Sequence, residues 1–311
     1  MPSEFELIDR HFRHPTRHTV LGVGDDGAIV RPRPGMELVI STDMLVSGTH
    51  FLPETDPEDL GWKTLAVNVS DMAAMGAEPR WALLAASLPA ATESWLERFA
   101  RGFFACADEF GVDVVGGDTT RGPRNFCVTI FGEVPTGQAL LRSGAREGDD
   151  IWISGHPGRA ALGLAHMQGR VVLDEPPRGE CLAALHRPQP RVALGLALRG
   201  LAHAAIDVSD GLLADLGHIL AESKASAHLC VPGLPPVGLE RDCLLAGGDD
   251  YELVFTTPAA RRAEVDALSG RLALALTRIG TVAGGVSPRL TLCEPDGTPI
   301  EVKQLGYDHF R

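Results

Sequence analysis

The order of apolar and polar residues in the first half of the chain predicts a mixture of helices and strands. Residues 56–75 begin with an aspartate, a proline and two further acids, which is the pattern of a helix N-terminus. Three aromatic residues at helical spacing predict a second helix over residues 92–110. Short apolar runs predict strands at residues 38–42, 112–115 and 126–134.

The second half continues this mixture after a turn-rich stretch at residues 135–150. Apolar periodicity predicts helices at residues 160–167, 178–186, 191–199, 212–222 and 258–268. It predicts strands at residues 151–154, 204–208, 227–231, 251–256, 275–282 and 289–293. Ser209 or Asp210 is the expected N-cap of the helix that begins at residue 212. We place a domain boundary in the turn-rich stretch, which gives domains 1–147 and 148–311.

Composition narrows the class of protein. The chain has 311 residues, of which 44% are hydrophobic and 22% charged, as in ordinary globular proteins. No apolar stretch is long enough to span a bilayer and no signal peptide is visible, so we expect a cytoplasmic protein with no membrane partner. The net charge of −13 argues against binding to nucleic acid. The six widely spaced cysteines indicate neither a zinc site nor a disulfide scaffold, and we predict buried thiols.

The most distinctive feature is a series of aspartates in strings of small residues. They stand at residues 24–26, 41–43, 68–71, 116–118, 207–210 and 247–250. A single aspartate in such a string is most often a turn or cap residue. If the loops converge, however, two carboxylates about 4 Å apart repel by about 4 kcal/mol at an effective dielectric of about 20, so the cluster requires cations.

The chemistry of such a cluster points to phosphate. Oxygen ligands without histidine or cysteine select Mg²⁺ or Mn²⁺, and Mg²⁺ commonly bridges carboxylates to the phosphates of a nucleotide. None of the chain's lysines stands in the G-x-x-x-x-G-K-[ST] motif of a P-loop, so any ATP chemistry uses another architecture.

These strings give the sequence a resemblance, over nearly its whole length, to the thiamine-monophosphate kinases. That family belongs to the superfamily of aminoimidazole ribonucleotide synthetase, selenophosphate synthetase and a hydrogenase maturation protein. Further matching strings are Gly-Thr-His-Phe at 48–51, Arg-Ser-Gly-Ala at 142–145, Arg-Pro-Gln-Pro-Arg at 187–191 and Gly-Tyr-Asp-His-Phe at 306–310, and the string that begins at 247 matches as Gly-Gly-Asp-Asp-Tyr-Glu through residue 252. The resemblance implies ATP-dependent phosphorylation of thiamine monophosphate to thiamine diphosphate, with several Mg²⁺ ions and direct in-line transfer.

The resemblance also implies the fold. It is a two-domain α/β protein of the aminoimidazole ribonucleotide synthetase type, with mixed α+β character. The N-terminal domain would bind ATP and Mg²⁺, and its strands would complete a barrel shared between two subunits of a homodimer. The C-terminal domain would be an α/β domain.

Single positions receive roles by the same resemblance. The Mg²⁺ ligands would be Asp26, Ser41, Thr42, Asp43, Asp71, Asp118, Asp207 and Asp210, with Asp71 and Asp210 as the catalytic residues. ATP would contact Gly117, Asp118, Arg142 and Ser209. Thiamine monophosphate would contact His50, Asp249 and Tyr307. Simpler structural roles compete with these: a loop histidine at 50 that bonds the backbone, a packing aromatic at 307 and a turn aspartate at 249.

Two departures from the family pattern stand out. The loop at 155–160 has His156, Arg159 and Ala160 where the family usually has Thr, Asp and Ser, and Asp249 stands where it typically has Glu. Two other functions stay open. An ATP-dependent cyclo-ligase related to aminoimidazole ribonucleotide synthetase is disfavoured by His50 and the tail at 306–310. A non-catalytic protein that binds divalent cations is distinguished by titration with ATP.

Overall fold

The computed structural model describes residues 6, 10–90, 92–285, 289–294, 296–301 and 305–307 of the chain. Contacts group the chain into two compact units. The N-terminal unit contains Met1–Met72 and Ala77–Gly137, and the C-terminal unit contains Ala73–Gly76 and Gln138–Arg311. Within the described residues, no helix combines the length and the apolar content that crossing a membrane requires.

The N-terminal unit is built around a four-stranded sheet. Its elements are β1 (Thr19–Leu21), β2 (Ile29–Val30), β3 (Met36–Val46), α1 (Pro57–Ala74), β4 (Glu78–Leu88), α2 (Glu93–Phe110), β5 (Asp113–Arg121) and β6 (Asn125–Pro135). The strand order is β3-β6-β4-β5, with β4 and β5 parallel and the other neighbours antiparallel. Both predicted helices and the three predicted strands of this part are confirmed. The sequence pattern does not predict β4.

Aromatic side chains on α2 pack against the sheet. Phe99 stacks on Phe126 of β6 with 4.5 Å between the ring centroids, and Trp95 stacks on the same ring at 6.1 Å. The helix ends at Gly111, whose φ of +67° is a left-handed conformation that glycine adopts without a steric penalty. The helical spacing of the aromatics in the sequence therefore identifies the buried face of α2.

The other face of this sheet is apolar and exposed along β3. Alternation along the strand buries Val39 and Leu45 and turns Ile40 and Met44 outward. Ile40 is 59% exposed and Met44 is 53% exposed. β3 is also an edge strand of the sheet. Leu38, Ile40 and Met44 form an exposed apolar surface that we call the β3 outer strip.

Two glycines allow α1 and α2 to approach until their backbones touch. A Cβ atom on Gly61 of α1 would lie 2.0 Å from the carbonyl oxygen of Phe99, and one on Gly102 of α2 would lie 1.7 Å from that of Glu58. Neither distance is compatible with a side chain, because the obstacle is backbone and cannot turn away. Both positions therefore require glycine.

The C-terminal unit is a seven-stranded sheet with helices on both faces. Its strands are β7 (Asp149–Ser154), β8 (Ala204–Asp207), β9 (Ser226–Leu229), β10 (Leu253–Pro258), β11 (Leu276–Ala283), β12 (Leu290–Cys293) and β13 (Pro299–Ile300), in the order β13-β12-β9-β11-β7-β10-β8. Its helices are α3 (Arg159–Met167), α4 (Pro177–His186), α5 (Val192–Leu198), α6 (Leu212–Ser223), α7 (Leu239–Ala246) and α8 (Arg262–Leu272). Every predicted element of this part is confirmed with shifted ends, and α7 and β13 are additional.

Each face of this sheet has its own apolar core. On one face, Ile206 of β8 packs in a cluster with Leu216 of α6. On the other face, Trp152 of β7 and Phe255 of β10 pack with Leu268 of α8. Because both faces are covered, the central strands are nearly continuous apolar runs in the sequence.

The prediction that all cysteines are buried is wrong for half of them. Cys106, Cys181 and Cys243 are buried, whereas Cys230 is exposed and Cys127 and Cys293 are partly exposed. Cys230 directly follows the last residue of β9, and Cys293 is the last residue of β12. Spacing in the sequence carries no information about such positions, because burial depends on the elements that cover a strand end.

We expect Gly102→Ala to destabilise the protein, although alanine favours a helix over glycine by about 1 kcal/mol. The added methyl group must push α1 and α2 apart, and overpacking of this kind costs about 1–3 kcal/mol. Gly270→Ala in α8 is the matched control, because no atom lies within 4 Å of its Cβ position, and it should raise stability. Urea unfolding followed by circular dichroism measures both variants. A stability of Gly102→Ala equal to that of Gly270→Ala would contradict the backbone contact.

Candidate active site

β3 and α1 bring polar residues of two sequence strings together. Ser41 Oγ donates a hydrogen bond to Asp71 Oδ2 at 2.6 Å. The backbone N–H of Asp43 donates to Asn68 Oδ1 at 3.0 Å. Ser41 and Asp43 face α1 because they are in phase with the buried residues of β3. Three of the predicted Mg²⁺ ligands, Ser41, Asp43 and Asp71, are therefore neighbours.

Thr42 lies on the opposite face of β3. Its Oγ1 donates to the carbonyl oxygen of Val128 at 3.0 Å and lies 3.2 Å from Thr129 Oγ1. Successive residues of a strand point to opposite faces. The structure therefore does not bring the Thr42 side chain together with the three ligands on the α1 side, and its role as a ligand stays a prediction.

A cavity of about 630 Å³ lies beside β5 in the N-terminal unit. Its lining includes Asp26, Gly117 and Asp118, and both aspartates are exposed. Gly117 is required by close approach of the strands, because a Cβ there would lie 1.8 Å from the carbonyl oxygen of Leu84. The structure thus places these three predicted site residues at one cavity.

His50 lies in the turn after β3, and the backbone holds its ring. The N–H of Val46 donates to His50 Nδ1 at 3.0 Å, and the N–H of His50 donates to the Val46 carbonyl oxygen at 2.9 Å. Gly48 supports the sharp turn with a φ of +83°. A neutral imidazole whose Nδ1 accepts a hydrogen bond carries its proton on Nε2. The ring therefore presents a donor at Nε2.

In the C-terminal unit, one carboxylate organises the loop after β8. Asp215 Oδ2 accepts hydrogen bonds from the backbone N–H groups of Ser209, Asp210 and Gly211 at 3.0, 3.0 and 3.1 Å. The prediction that Ser209 or Asp210 caps α6 is wrong, because Gly211 is the N-cap and Asp215 reaches back from the first turn. Sequence reasoning missed Asp215. Its signal is an acid in the first turn of a helix that follows Ser-Asp-Gly.

Backbone hydrogen bonds join two further segments to this loop. The N–H of Asp249 donates to the carbonyl oxygen of Ser209 at 2.8 Å, and the N–H of Tyr307 donates to that of Asp210 at 2.9 Å. Four predicted site residues, two for ATP or Mg²⁺ and two for thiamine monophosphate, are therefore brought together. The remainder of the tail string, residues 308–310, lies outside the described residues.

The backbone conformation at Asp249 suits a short polar residue. Asp249 has a φ of +74°, in the left-handed region. Aspartate and asparagine enter this region more readily than other residues with a Cβ, because their short polar side chains bond locally. Gly248 before it allows the loops to touch, since a Cβ there would lie 2.2 Å from the Ser209 carbonyl oxygen. The turn thus favours aspartate over the longer glutamate.

Acidic side chains repel one another near α6. Burial raises the pKa of Asp215 to about 7, and the charge of Asp207 at the end of β8 contributes to the rise. Asp210 adds a smaller repulsion, while its N–H opposes the rise as a hydrogen-bond donor. A cation beside these carboxylates would relieve the repulsion. Among the residues that the structure describes, no three His, Cys, Asp or Glu side chains group closely enough to hold a metal ion by themselves.

A buried polar network connects two of the sequence strings. Arg191 donates to both carboxylate oxygens of Glu252, from Nε at 2.7 Å and from Nη2 at 2.5 Å. Ser154 Oγ donates to the same carboxylate at 2.5 Å and accepts from the N–H of Leu253 at 2.9 Å. The arginine that ends the string at 187–191 therefore holds the glutamate that ends the string at 247–252. Sequence reasoning identifies both strings but not this bond.

The altered loop at 155–160 is anchored through its backbone. The N–H groups of Gly158 and Ala160 donate to the two oxygens of Asp250 at 2.6 and 3.3 Å. Burial raises the pKa of Asp250 well above its usual value, although both hydrogen bonds oppose the rise. Arg159 pairs with Glu180 of α4 at 2.6 Å. The start of α3 is thus satisfied by a carboxylate from the 247–252 string, which sequence reasoning also missed.

Arg142 is exposed in a loop that α6 anchors. Ser223 Oγ, at the end of α6, donates to the Arg142 carbonyl oxygen at 3.2 Å and accepts from the N–H groups of Gly144 and Ala145 at 3.1 Å each. One helix therefore holds two loops with predicted ATP contacts, through Asp215 at its start and Ser223 at its end.

We expect Asp215→Ala to loosen residues 209–211, because three N–H groups lose their acceptor. Each such bond contributes about 1 kcal/mol, so amide hydrogen exchange in this loop should accelerate by about tenfold or more. Asp215→Asn keeps an oxygen acceptor and is the matched control with a smaller effect. Exchange followed by mass spectrometry measures the loop, with β7 as the internal reference. Unchanged exchange in Asp215→Ala would show that the carboxylate does not hold the loop.

Two family models match the chain. AIR synthase related protein, N-terminal domain, matches residues 24–134, and AIR synthase related protein, C-terminal domain, matches residues 146–293. Together the two matches cover most of the chain. The predicted fold class, a two-domain mixed α/β protein of the aminoimidazole ribonucleotide synthetase type, is confirmed, while the barrel shared by a dimer stays a prediction.

Comparison over the full length finds closer relatives. The thiamine-monophosphate kinase of Salmonella typhimurium is 44% identical and aligns with 99% of this chain and 98% of its own. The crystal structure of the Stenotrophomonas maltophilia K279a thiamine-monophosphate kinase has a TM-score of 0.84 and 47% identity, covering 96% of this chain and 98% of the other. The structure of AaThiL complexed with AMPPCP and TMP has a TM-score of 0.75 and 30% identity, covering 98% of this chain and 96% of the other.

Proposed function

Because the chain belongs to the thiamine-monophosphate kinase family, we propose that it transfers the γ-phosphoryl group of ATP to thiamine monophosphate, giving thiamine diphosphate and ADP. One observation carries this proposal. A protein 30% identical over 98% of this chain is complexed with AMPPCP, an ATP analogue, and with TMP. Both substrates of the proposed reaction therefore have a counterpart in a relative that matches the full length.

The direct test is incubation of the purified protein with Mg²⁺, ATP and thiamine monophosphate, followed by chromatography. The expected products are thiamine diphosphate and ADP in equal amounts. A parallel reaction without thiamine monophosphate measures ATP hydrolysis alone. Absence of thiamine diphosphate with both Mg²⁺ and Mn²⁺ would refute the proposal. Binding of the metal without any product would instead support the non-catalytic alternative.

The oxygen donors of the chain fit Mg²⁺. Ser41 and Asp71, hydrogen-bonded to each other, offer a hydroxyl and a carboxylate, and Asp207 and Asp210 offer carboxylates. Mg²⁺ usually takes one or two carboxylates and completes its shell with water and phosphate oxygens, so a protein cluster of three acids is not required. We propose as ligands Asp26, Ser41, Thr42, Asp43, Asp71, Asp118, Asp207 and Asp210. Bound Mg²⁺ would neutralise charge on the polyphosphate.

Other residues would position ATP. Gly117 is exposed at the cavity beside β5, where a phosphate could approach its backbone, and Arg142 offers an exposed guanidinium group. Asp118 lies at the same cavity as Gly117, and Ser209 belongs to the loop held by Asp215. Transfer of a phosphoryl group depends mainly on alignment and charge neutralisation. We propose direct in-line transfer, since the sequence contains no distinctive pair of nucleophile and base.

Thiamine monophosphate would be recognised by charge and hydrogen bonding. His50 presents a donor at Nε2, which suits a phosphate oxygen. The Asp249 carboxylate and the Tyr307 ring suit the cationic thiazolium group, by charge attraction and by cation–π interaction. The backbone bonds that join these two residues to residues 209 and 210 support a shared role.

We also propose a homodimer formed through the N-terminal strands. The β3 outer strip exposes apolar side chains on an edge strand, a surface that pairing with a second copy would cover. Sedimentation equilibrium measures the mass and tests this assembly. We propose that the reaction takes place in the cytoplasm, where ATP is available as co-substrate.

We expect Asp71→Asn to lower kcat/KM by about 100-fold or more, the usual effect of losing a preorganised charge in an active site. The amide has nearly the volume of the carboxylate but no charge for a metal ion, so folding should be unaffected. Asp266→Asn makes the same change on the exposed face of α8 and is the matched control. Kinetics at varied Mg²⁺ concentration measure both variants. Wild-type turnover with unchanged Mg²⁺ dependence in Asp71→Asn would refute the role.

We expect Asp249→Asn to raise the KM for thiamine monophosphate by about tenfold, a loss of roughly 1.4 kcal/mol, with little change in kcat. Asparagine retains the left-handed backbone but removes the charge. Asp249→Glu should stay active with KM changed by less than about tenfold, because it retains the charge, and Asp249→Ala should raise KM further. Steady-state kinetics at saturating ATP measure these effects. A wild-type KM in Asp249→Asn would mean that Asp249 serves the turn alone.

A further inference from the structure

Two cysteines lie side by side where β9 and β12 end. The strands are parallel, and Leu292 of β12 stands beside Leu229 of β9 in their register. Cys230 and Cys293 are the next residues of the two chain segments, so the same register places them beside each other. Neighbouring strands are about 4.8 Å apart, which is within the Cα separation of about 4.4–6.8 Å that a disulfide spans.

The two thiols also share a face of the sheet. Leu229 and Leu292 are both 1% exposed and belong to the same apolar core. Because successive residues of a strand alternate, Cys230 and Cys293 point to the opposite face. Cys230 is exposed and Cys293 is partly exposed. Cys230 Sγ lies 4.0 Å from the carbonyl oxygen of Glu294, so the sulfur is turned toward the end of β12.

The other cysteines lack this combination of a neighbour and access. Burial raises the pKa of the Cys106 and Cys181 thiols and raises that of Cys243 to about 11, which makes their thiolates scarce. Cys127 is partly exposed, but its register partners are Met44 on β3 and Ala85 on β4. An oxidant should therefore react selectively at the end of β9.

We propose that Cys230 and Cys293 form a dithiol modification site, which a low-molecular-weight disulfide such as glutathione disulfide converts to an intramolecular disulfide. The Cys230 thiolate attacks the glutathione disulfide, which forms a mixed disulfide and releases one glutathione. The Cys293 thiolate then attacks the Cys230 sulfur and displaces the second glutathione. Two cysteine thiols are oxidised and one glutathione disulfide is reduced to two thiols, so electrons and protons balance.

The second step favours the disulfide over the mixed product. Cys293 attacks from within the same chain, at an effective concentration on the order of millimolar, so the mixed disulfide should not accumulate. The bond would tie β12 covalently to β9. β12 and β13 are the outer strands of the sheet on this side, and β9 is the neighbour through which they join it. Oxidation would thus fasten the edge of the C-terminal sheet.

The test is incubation of the folded, full-length protein with glutathione disulfide in slightly alkaline buffer. Remaining thiols are then blocked with N-ethylmaleimide before digestion with trypsin and mass spectrometry. The expected product is a linked pair of peptides, residues 225–241 and 290–303, in a protein that is monomeric by non-reducing denaturing electrophoresis. Cys293→Ser should instead accumulate one glutathione on Cys230, and Cys230→Ser should give no link. Cys127→Ser is the matched control and should link as the wild type does.

The remaining outcomes overturn the proposal. A stable mixed disulfide on Cys230 of the wild type would show that Cys293 cannot reach it. A link between the same peptides of two different chains would show that the site is not intramolecular. A link involving any other cysteine, or no reaction at all, would show that the paired strand ends confer no selectivity.

Discussion

Hydrogen bonds from backbone N–H groups to carboxylates hold this protein's polar loops in place. Asp215 accepts three of them from the loop before α6, and Asp250 accepts two at the start of α3. In the N-terminal unit, Asp113 accepts the N–H groups of Arg17 and His18 at 2.7 and 2.6 Å. Burial alone would raise the pKa of Asp113, but these bonds and one from a threonine hydroxyl lower it below its usual value. The chain thus uses its own backbone N–H groups as the hydrogen-bond partners of its buried acids.

This arrangement separates two kinds of acid within one string. In the string that ends at Glu252, Asp250 and Glu252 are buried and bonded to protein groups, whereas Asp249 between the glycines and Asp250 is partly exposed. The buried acids fix the loop, and the partly exposed one is the residue that we propose as the contact of the thiazolium group. Neighbouring acidic residues can therefore have different roles, because the direction of the backbone decides which side chain is buried and which is exposed to solvent.

Local signals in the sequence predict helices and most strands but not their assembly. α1 and α2 are predictable because their ends carry an aspartate with a proline and a glycine in the left-handed region. β4 is not, because its residues 81–88 are almost all apolar in sequence, so the half that faces outward in the fold carries too few polar residues to mark the alternation. The order of the seven-stranded sheet depends on pairing between distant segments, about which local residue types say nothing.

In the candidate site too, the sequence identifies the residues but not how they are arranged. The resemblance names residues 41, 42 and 43 together, yet strand geometry separates the middle one from its neighbours. The bond between Arg191 and Glu252 and the reach of Asp215 to the loop before α6 are specific to the folded chain. Residue types in the sequence indicate which segments form the candidate site, and tertiary contacts decide which of their atoms lie close together.

The paired glycines of α1 and α2 carry a consequence for how the molecule tolerates change. A contact between side chains can relax by switching rotamers, whereas the contact of Gly61 and Gly102 with opposing carbonyl groups has no such freedom. α1 also carries Asp71. The position of this helix against α2 is fixed where Gly61 meets the carbonyl oxygen of Phe99 and where Gly102 meets that of Glu58, so these contacts also set the position of the Asp71 carboxylate. No side chain larger than that of glycine therefore fits at residues 61 and 102 unless α1 moves, and α1 would carry Asp71 with it.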